Sequence, residues 1–186
     1  MYPYLHDNSY ADKVSDRQIQ EMEAEFGLKL PERLKEFHKH YSNVPMDPVR
    51  LPAGSGGCTI DGFIPLFSTS MSAEHMLEIY RQSGRMPQSY FPLAVSSAGD
   101  DIFLDTASGH VYLISMDLPK RSRRLASSLD AFFDLLEAFW EKEQQEKAEQ
   151  KQKSLERWRR HDGQSRPWRQ DPKSEGDADD DGTYRF

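Results

Sequence analysis

Ile19, Met22 and Phe26 recur at helical spacing behind the segment Val14-Ser15-Asp16-Arg17-Gln18. There Ser15 and Gln18 have the spacing of a capping box, and Val14 and Ile19 that of a hydrophobic staple. Gly27 supplies the stop. A second helix follows the link Leu28-Lys29-Leu30. Pro31 suits its first turn, Leu34, Phe37 and Tyr41 form its apolar stripe, and Asn43 is a natural end. Neither stripe is stable alone, so both must pack on something larger. Ser72 opens a third helix through Met76, Ile79 and Tyr80, ended by Gly84. Ser127 or Ser128 caps a fourth, whose face of Leu129, Phe132, Phe133, Leu136, Phe139 and Trp140 is more apolar than a surface helix needs.

Between these helices the pattern changes to short apolar runs bounded by turn residues. Cys58-Thr59-Ile60 and Phe63-Ile64-Pro65-Leu66-Phe67 predict two short strands around a turn at Asp61-Gly62. Residues 44–57, with Pro45, Pro48, Pro52 and three glycines, predict a loop. Phe91-Pro92-Leu93-Ala94-Val95 predicts a strand with its proline near the start, followed by a turn at 96–100. Asp101–Asp105 and His110–Ile114 predict strands joined by a hairpin connection at Thr106-Ala107-Ser108-Gly109. The segment Pro119-Lys120-Arg121-Ser122-Arg123-Arg124 predicts a basic loop before the last helix. The order predicts an α+β single domain: a largely antiparallel sheet of about five to six strands with helices packed on it, and a long C-terminal helix.

Beyond residue 140 the apolar spacing stops while good helix formers continue. Glu143–Lys147, Glu149–Lys153 and Glu156–Arg160 lie four apart with the acid first, an arrangement that supports a charged helix. From Asp162 onward Gly, Pro and the run Asp177-Ala178-Asp179-Asp180-Asp181 predict disorder, interrupted by Trp168. The expected organisation is an N-terminal arm at 1–14, a globular domain at 15–140, a charged helical extension at 141–161 and a disordered tail at 162–186.

The 186 residues suffice for one real core without disulfides or metal. A single cysteine, Cys58, fits a reducing compartment. The N-terminal residues lack the basic start and apolar stretch of a secretory signal, and no apolar run reaches about 18 residues. A cytoplasmic protein without a membrane partner is the expectation. Residues 1–140 hold 13 Lys+Arg against 19 Asp+Glu, and residues 141–186 hold 11 against 12. The acidic excess therefore sits on the domain, where it disfavours nucleic-acid phosphates and favours a basic partner.

No constellation of catalytic, cofactor-binding or metal-binding residues emerges. The six histidines fall in different elements, and His38 and His40 are two apart, pointing to different sides of a helix. Gly56-Gly57 lacks the Lys-Ser/Thr of a phosphate cradle. Cys58 reads as a small buried strand residue, with no second cysteine to pair with. Asp100-Asp101 reads as turn chemistry rather than a metal site. No enzymatic activity is expected, and the sequence carries no signal of oligomeric state.

Several stretches together resemble the SUKH superfamily, named in part from the fungal Smi/Knr cell-wall-synthesis regulators. They are Phe26-Gly27-Leu28-Lys29-Leu30-Pro31 with Phe37 and Tyr41-Ser42-Asn43, then Phe91-Pro92-Leu93-Ala94, Gly99–Asp105 and Gly109-His110-Val111-Tyr112, and finally Leu125–Phe133. The chain differs from the family pattern at Asn43-Val44, where Asn-Gly is usual, and in the basic stretch 119–124. The resemblance implies recognition rather than catalysis. Bacterial members act as immunity proteins that bind and neutralise a cognate polymorphic toxin, often a nuclease or other nucleic-acid-modifying enzyme. Fungal relatives act as scaffold-like regulators, so a non-enzymatic adaptor using domain and tail is the alternative.

A binding surface is argued from alternation. In the strand 101–105, Asp101, Phe103 and Asp105 share one face and Ile102 and Leu104 the other. Two carboxylates around an aromatic suit a basic, partly apolar partner. The competing reading is a strand with charged ends and Phe103 in the core. The candidate partner-facing patch is Asp100, Asp101, Asp105, Tyr112 and Asp117, opposed to a basic toxin domain.

Overall fold

The computed structural model describes residues 2–7, 9, 11–52, 57–68, 71–84, 86–115 and 122–162. Asp117, Gly56, the start of the basic stretch at 119–121 and the predicted tail beyond Asp162 lie outside the described residues. The elements are α1 (Asp16–Phe26), α2 (Glu32–Tyr41), β1 (Val49–Arg50), β2 (Thr59–Phe63), α3 (Ala73–Ser83), β3 (Tyr90–Ser96), β4 (Asp101–Asp105), β5 (Val111–Ile114), β6 (Ser122–Ala126) and α4 (Leu129–Asp162). The chain divides into two compact units, Met1–Glu146 and Lys147–Phe186.

All six strands belong to one antiparallel sheet in which spatial order equals chain order, β1-β2-β3-β4-β5-β6. The fold is α+β, with four helices and a six-stranded sheet among the described residues. Its core is built from the predicted helical stripes, Ile19, Met22 and Phe26 with Leu34, Phe37, Leu129, Phe132, Phe133 and Leu136. The sheet contributes Ile60, Phe91, Leu93, Ile102, Leu104 and Val111. Burial of this apolar surface is the main favourable term in folding.

The helix ends follow the sequence chemistry. Ser15 accepts the Gln18 N–H while the Gln18 side chain accepts the Ser15 N–H, closing the capping box. Gly27 ends α1 at φ 57°, the left-handed conformation glycine adopts without strain. Ser72 caps α3 and Ser128 caps α4, the latter by accepting the Ala131 N–H at 3.0 Å. Pro31 stands one position earlier than expected, at the N-cap of α2. Lys35 on α2 pairs with Glu23 on α1 at 3.2 Å, and Glu23 also accepts the Leu30 N–H at 2.7 Å, which fixes the link between the two helices.

Three strand expectations are corrected. Asp61-Gly62 is no turn between two strands. Thr59–Phe63 is one strand, and the register against β3 shifts between Ile60 and Gly62, so the irregularity is absorbed as a bulge. The predicted loop 44–57 contains β1, which pairs Val49 with Ile60. The end of the predicted basic loop is β6, an edge strand that pairs Tyr112 with Arg124 and Leu113 with Arg123. An edge strand tolerates arginines because one side of its ladder and much of its surface meet water.

The N-terminal arm is anchored to the domain. Leu5 bridges Met46, Asp47 donates its N–H to the Tyr4 carbonyl at 2.8 Å, and Tyr4 is fully buried. Tyr2 packs among Phe37, Tyr41 and Phe133, with ring centroids 4.8–5.5 Å away. On α2, His38 is wholly buried beside Phe91, and among the described residues neither ring nitrogen has a hydrogen-bond partner. Burial alone lowers its pKa to about 3. His40 is exposed, so the two histidines are separated as their spacing requires.

Candidate interaction surface

The register of the central strands assembles one face of the sheet. Pro92, Phe103, Tyr112 and Arg124 form a cross-strand row over β3, β4, β5 and β6. Beside it, Asp101 pairs with Val95 and Ile114, and Asp105 pairs with Tyr90. The alternation therefore holds: Asp101, Phe103 and Asp105 share this face, while Ile102 and Leu104 join the core. Phe103 itself is only 1% exposed. It packs against Tyr80 of α3 at 5.3 Å and Tyr90 at 6.1 Å, as a small aromatic centre of its own. Tyr90 and Tyr112 stack above it with centroids 5.7 Å apart and planes 10° from parallel. Both tyrosines and His110 keep part of their surface in water, and Arg124 is exposed.

The carboxylates are held more tightly than an open acidic patch would hold them. The Tyr80 hydroxyl donates to Asp101 Oδ2. Burial, and secondarily Asp100, raises the Asp101 pKa against the lowering effect of that hydrogen bond. Burial and the same contact push the Tyr80 phenol up. Asp105 accepts the Ala107 N–H at 3.1 Å and the Ser108 hydroxyl at 2.6 Å, organising the β4–β5 hairpin. Burial raises the Asp105 pKa, but hydrogen bonds from Ser108, Ser89 and the backbone outweigh it and hold the carboxyl below its ordinary value. Asp100 lies in the β3–β4 turn, its N–H bonded to the Ser96 hydroxyl at 3.2 Å. Tyr112 hydroxyl lies 3.3 Å from His110 Nδ1. Of the five candidate residues, the sheet thus brings Asp101, Asp105 and Tyr112 onto one face, and Asp100 sits at its rim.

Sequence reasoning missed Tyr80, Tyr90, His110 and Arg124 as members of this surface. Tyr90 lies one position before the predicted strand, and Arg124 lay in what read as a loop. Register, which neither residue displays locally, aligns them. Among the described residues no group of three His, Cys, Asp or Glu side chains could hold a metal ion, and no helix is long and apolar enough to cross a membrane. Cys58 is buried next to β2, and burial raises its thiol pKa.

The chain matches the SMI1 / KNR4 family (SUKH-1) over residues 13–135, a span that contains α1 and every strand of the sheet. The chain belongs to this family. SUKH proteins are generally associated with immunity and with protein partners, and are known as non-enzymatic. A search of curated proteins finds no match. The SUKH assignment agrees with the order of motifs along the sequence and with the α+β fold.

Proposed function

We propose that this SUKH protein is a cytoplasmic immunity protein. It binds a cognate polymorphic toxin domain, a nuclease or other nucleic-acid-modifying effector, and neutralises it by covering its active or substrate-binding surface. The observation that carries the reading is the family match across the whole sheet. The partner-facing surface is the Tyr90–Tyr112 stack with Asp100, Asp101 and Asp105 around it. Stacked tyrosines offer large contact area at low entropic cost, the property that makes such residues strong interface anchors. The Met1–Glu146 unit carries 22 Asp+Glu against 14 Lys+Arg, so its field attracts a basic toxin from a distance and speeds encounter.

The test is co-expression with the C-terminal domain of a toxin encoded beside this gene. Restored growth together with capture of that domain in a stoichiometric complex supports neutralisation. Growth arrest despite equal expression, with no complex, refutes it for that pair.

A further inference from the structure

The Lys147–Phe186 unit holds charge in two opposed blocks. Residues 147–169 carry eight Lys+Arg against three Asp+Glu, and residues 171–181 carry six Asp+Glu against one lysine. Within α4, at about 100° per residue, Glu149 and Glu156 fall on the same side. Each is matched there by a cation four residues on: Glu149 with Lys153 at 3.8 Å and Glu156 with Arg160 at 4.0 Å. The opposite side carries Lys151, Leu155 and Trp158, with Arg159 at its edge and the last residue of the helix, Asp162, at the same angular position. Leu155 is 48% exposed and Trp158 64% exposed. Among the described residues neither Lys151 nor Arg159 makes an ion pair. Over residues 147–160 the helix pairs both of its glutamates on one face and leaves a leucine and a tryptophan beside Lys151 and Arg159 on the other, a layout that suits an anionic, partly apolar strand of chain.

We propose that this face is the docking site of the chain's own acidic segment, Asp171–Asp181. Charge complementarity selects the occupant, because the following block has the opposite sign and nearly the same size. Tethering favours it over any free competitor, since a covalently linked ligand acts at an effective concentration of about millimolar. The reach suffices: Asp177 lies seventeen residues after Arg160, at most about 60 Å of chain, whereas Lys151 to Arg159 spans only about 12 Å of helix. Docked there, the acidic segment masks a basic, aromatic surface that otherwise suits stacked bases and phosphates, so the two blocks silence each other.

The test uses the full chain with a nitroxide attached through D179C, Cys58 being buried and poorly reactive. Paramagnetic broadening of amides is read by NMR. The expected result is broadening of residues 151–160 at least threefold stronger than that of residues 16–26. It falls to background in 0.5 M NaCl and in the K151Q/W158A/R159Q chain, while the amide positions of 16–26 stay unchanged as the check on folding. Even broadening along the chain, or broadening strongest within residues 1–146, overturns the proposal. So does broadening that survives only between differently labelled molecules, which indicates docking on a second copy. A single-stranded dT20 probe that shifts residues 151–160 equally in the full chain and in a chain ending at Gln170 also overturns it, because the face is then open.

Discussion

Tyr80 on α3 donates its hydroxyl hydrogen to the carboxylate of Asp101 at the first residue of β4. One hydrogen bond thus ties a helix to the edge of the candidate surface and keeps a half-buried charge satisfied. The same tyrosine ring covers Phe103. Position and electrostatics of this end of the surface therefore depend on a residue that belongs to neither β4 nor β5.

Tyr80→Phe keeps the ring and removes the donor. The unfolding free energy should fall by about 1.5–3 kcal/mol at pH 7, the usual worth of a hydrogen bond to a charged group. Asp101 has a folded pKa above its unfolded value. The cost should therefore shrink below pH 3.8, where the carboxyl is neutral in both states. Urea unfolding at pH 7 and pH 3 compares the two losses, and an equal loss at both would contradict the role assigned to the charge.

His38 has a folded pKa of about 3, far below an unfolded value near 6.5. The unfolded chain takes up the proton first, so stability is lost as pH falls below 6.5, by up to about 1.4 kcal/mol per pH unit. His38→Leu should flatten that part of the profile. With both ring nitrogens unbonded in the parent, it should cost little at pH 7. Thermal unfolding of parent and variant from pH 7 to pH 4.5 gives the two slopes.

Asp105→Ala removes the acceptor for the Ala107 N–H and the Ser108 hydroxyl. The expected loss is about 1–2 kcal/mol, with faster exchange of the Gly109 amide, which closes the same turn on the Asp105 carbonyl at 2.7 Å. Because the folded pKa of Asp105 is lowered, its contribution is present above about pH 4 and disappears as pH falls through the folded value. Hydrogen exchange at Gly109 reads the local effect even where the global midpoint moves little.

Tyr112→Ala should weaken capture of the toxin domain by tenfold or more, about 1.4 kcal/mol, while leaving α1 and the buried core unchanged. Charge reversal at Asp100, which makes no structural side-chain contact comparable to those of Asp101 and Asp105, should slow association and weaken its dependence on salt. Surface-binding kinetics at two ionic strengths distinguish the roles: a changed dissociation rate marks the tyrosine, a changed association rate the aspartate.

The helices were legible in the sequence because their determinants are local. Ser15 and Gln18 are three apart, Gly27 stops the helix it follows, and the stripe of Leu129, Phe132, Phe133 and Leu136 names its buried side. The strands that escaped notice owe their existence to pairing. Val49-Arg50 has two residues and no alternation to display, and Ser122-Arg123-Arg124 reads as polar until its ladder with β5 is known. The candidate surface was half legible for the same reason. The alternation of Asp101, Phe103 and Asp105 lies within one strand, whereas Tyr90, Tyr112 and Arg124 meet only through register. No sequence pattern indicated that Asp101 and Asp105 would be occupied by Tyr80 and by the hairpin turn.

The next-neighbour order of the sheet has a consequence for how the molecule forms. Every pairing joins strands consecutive in the chain, and all the closures but that of β2 on β3 span short connections with a small entropic cost. Such local topology favours rapid folding. The β3–β4 and β4–β5 hairpins need only the turns at 97–100 and 106–110 to zip. The longest closure within the sheet is that of β2 on β3, across residues 64–89 and the whole of α3. Assembly is therefore expected to start from the C-terminal hairpins and to finish at β1, making the N-terminal edge the last part of the sheet to form and the first to open.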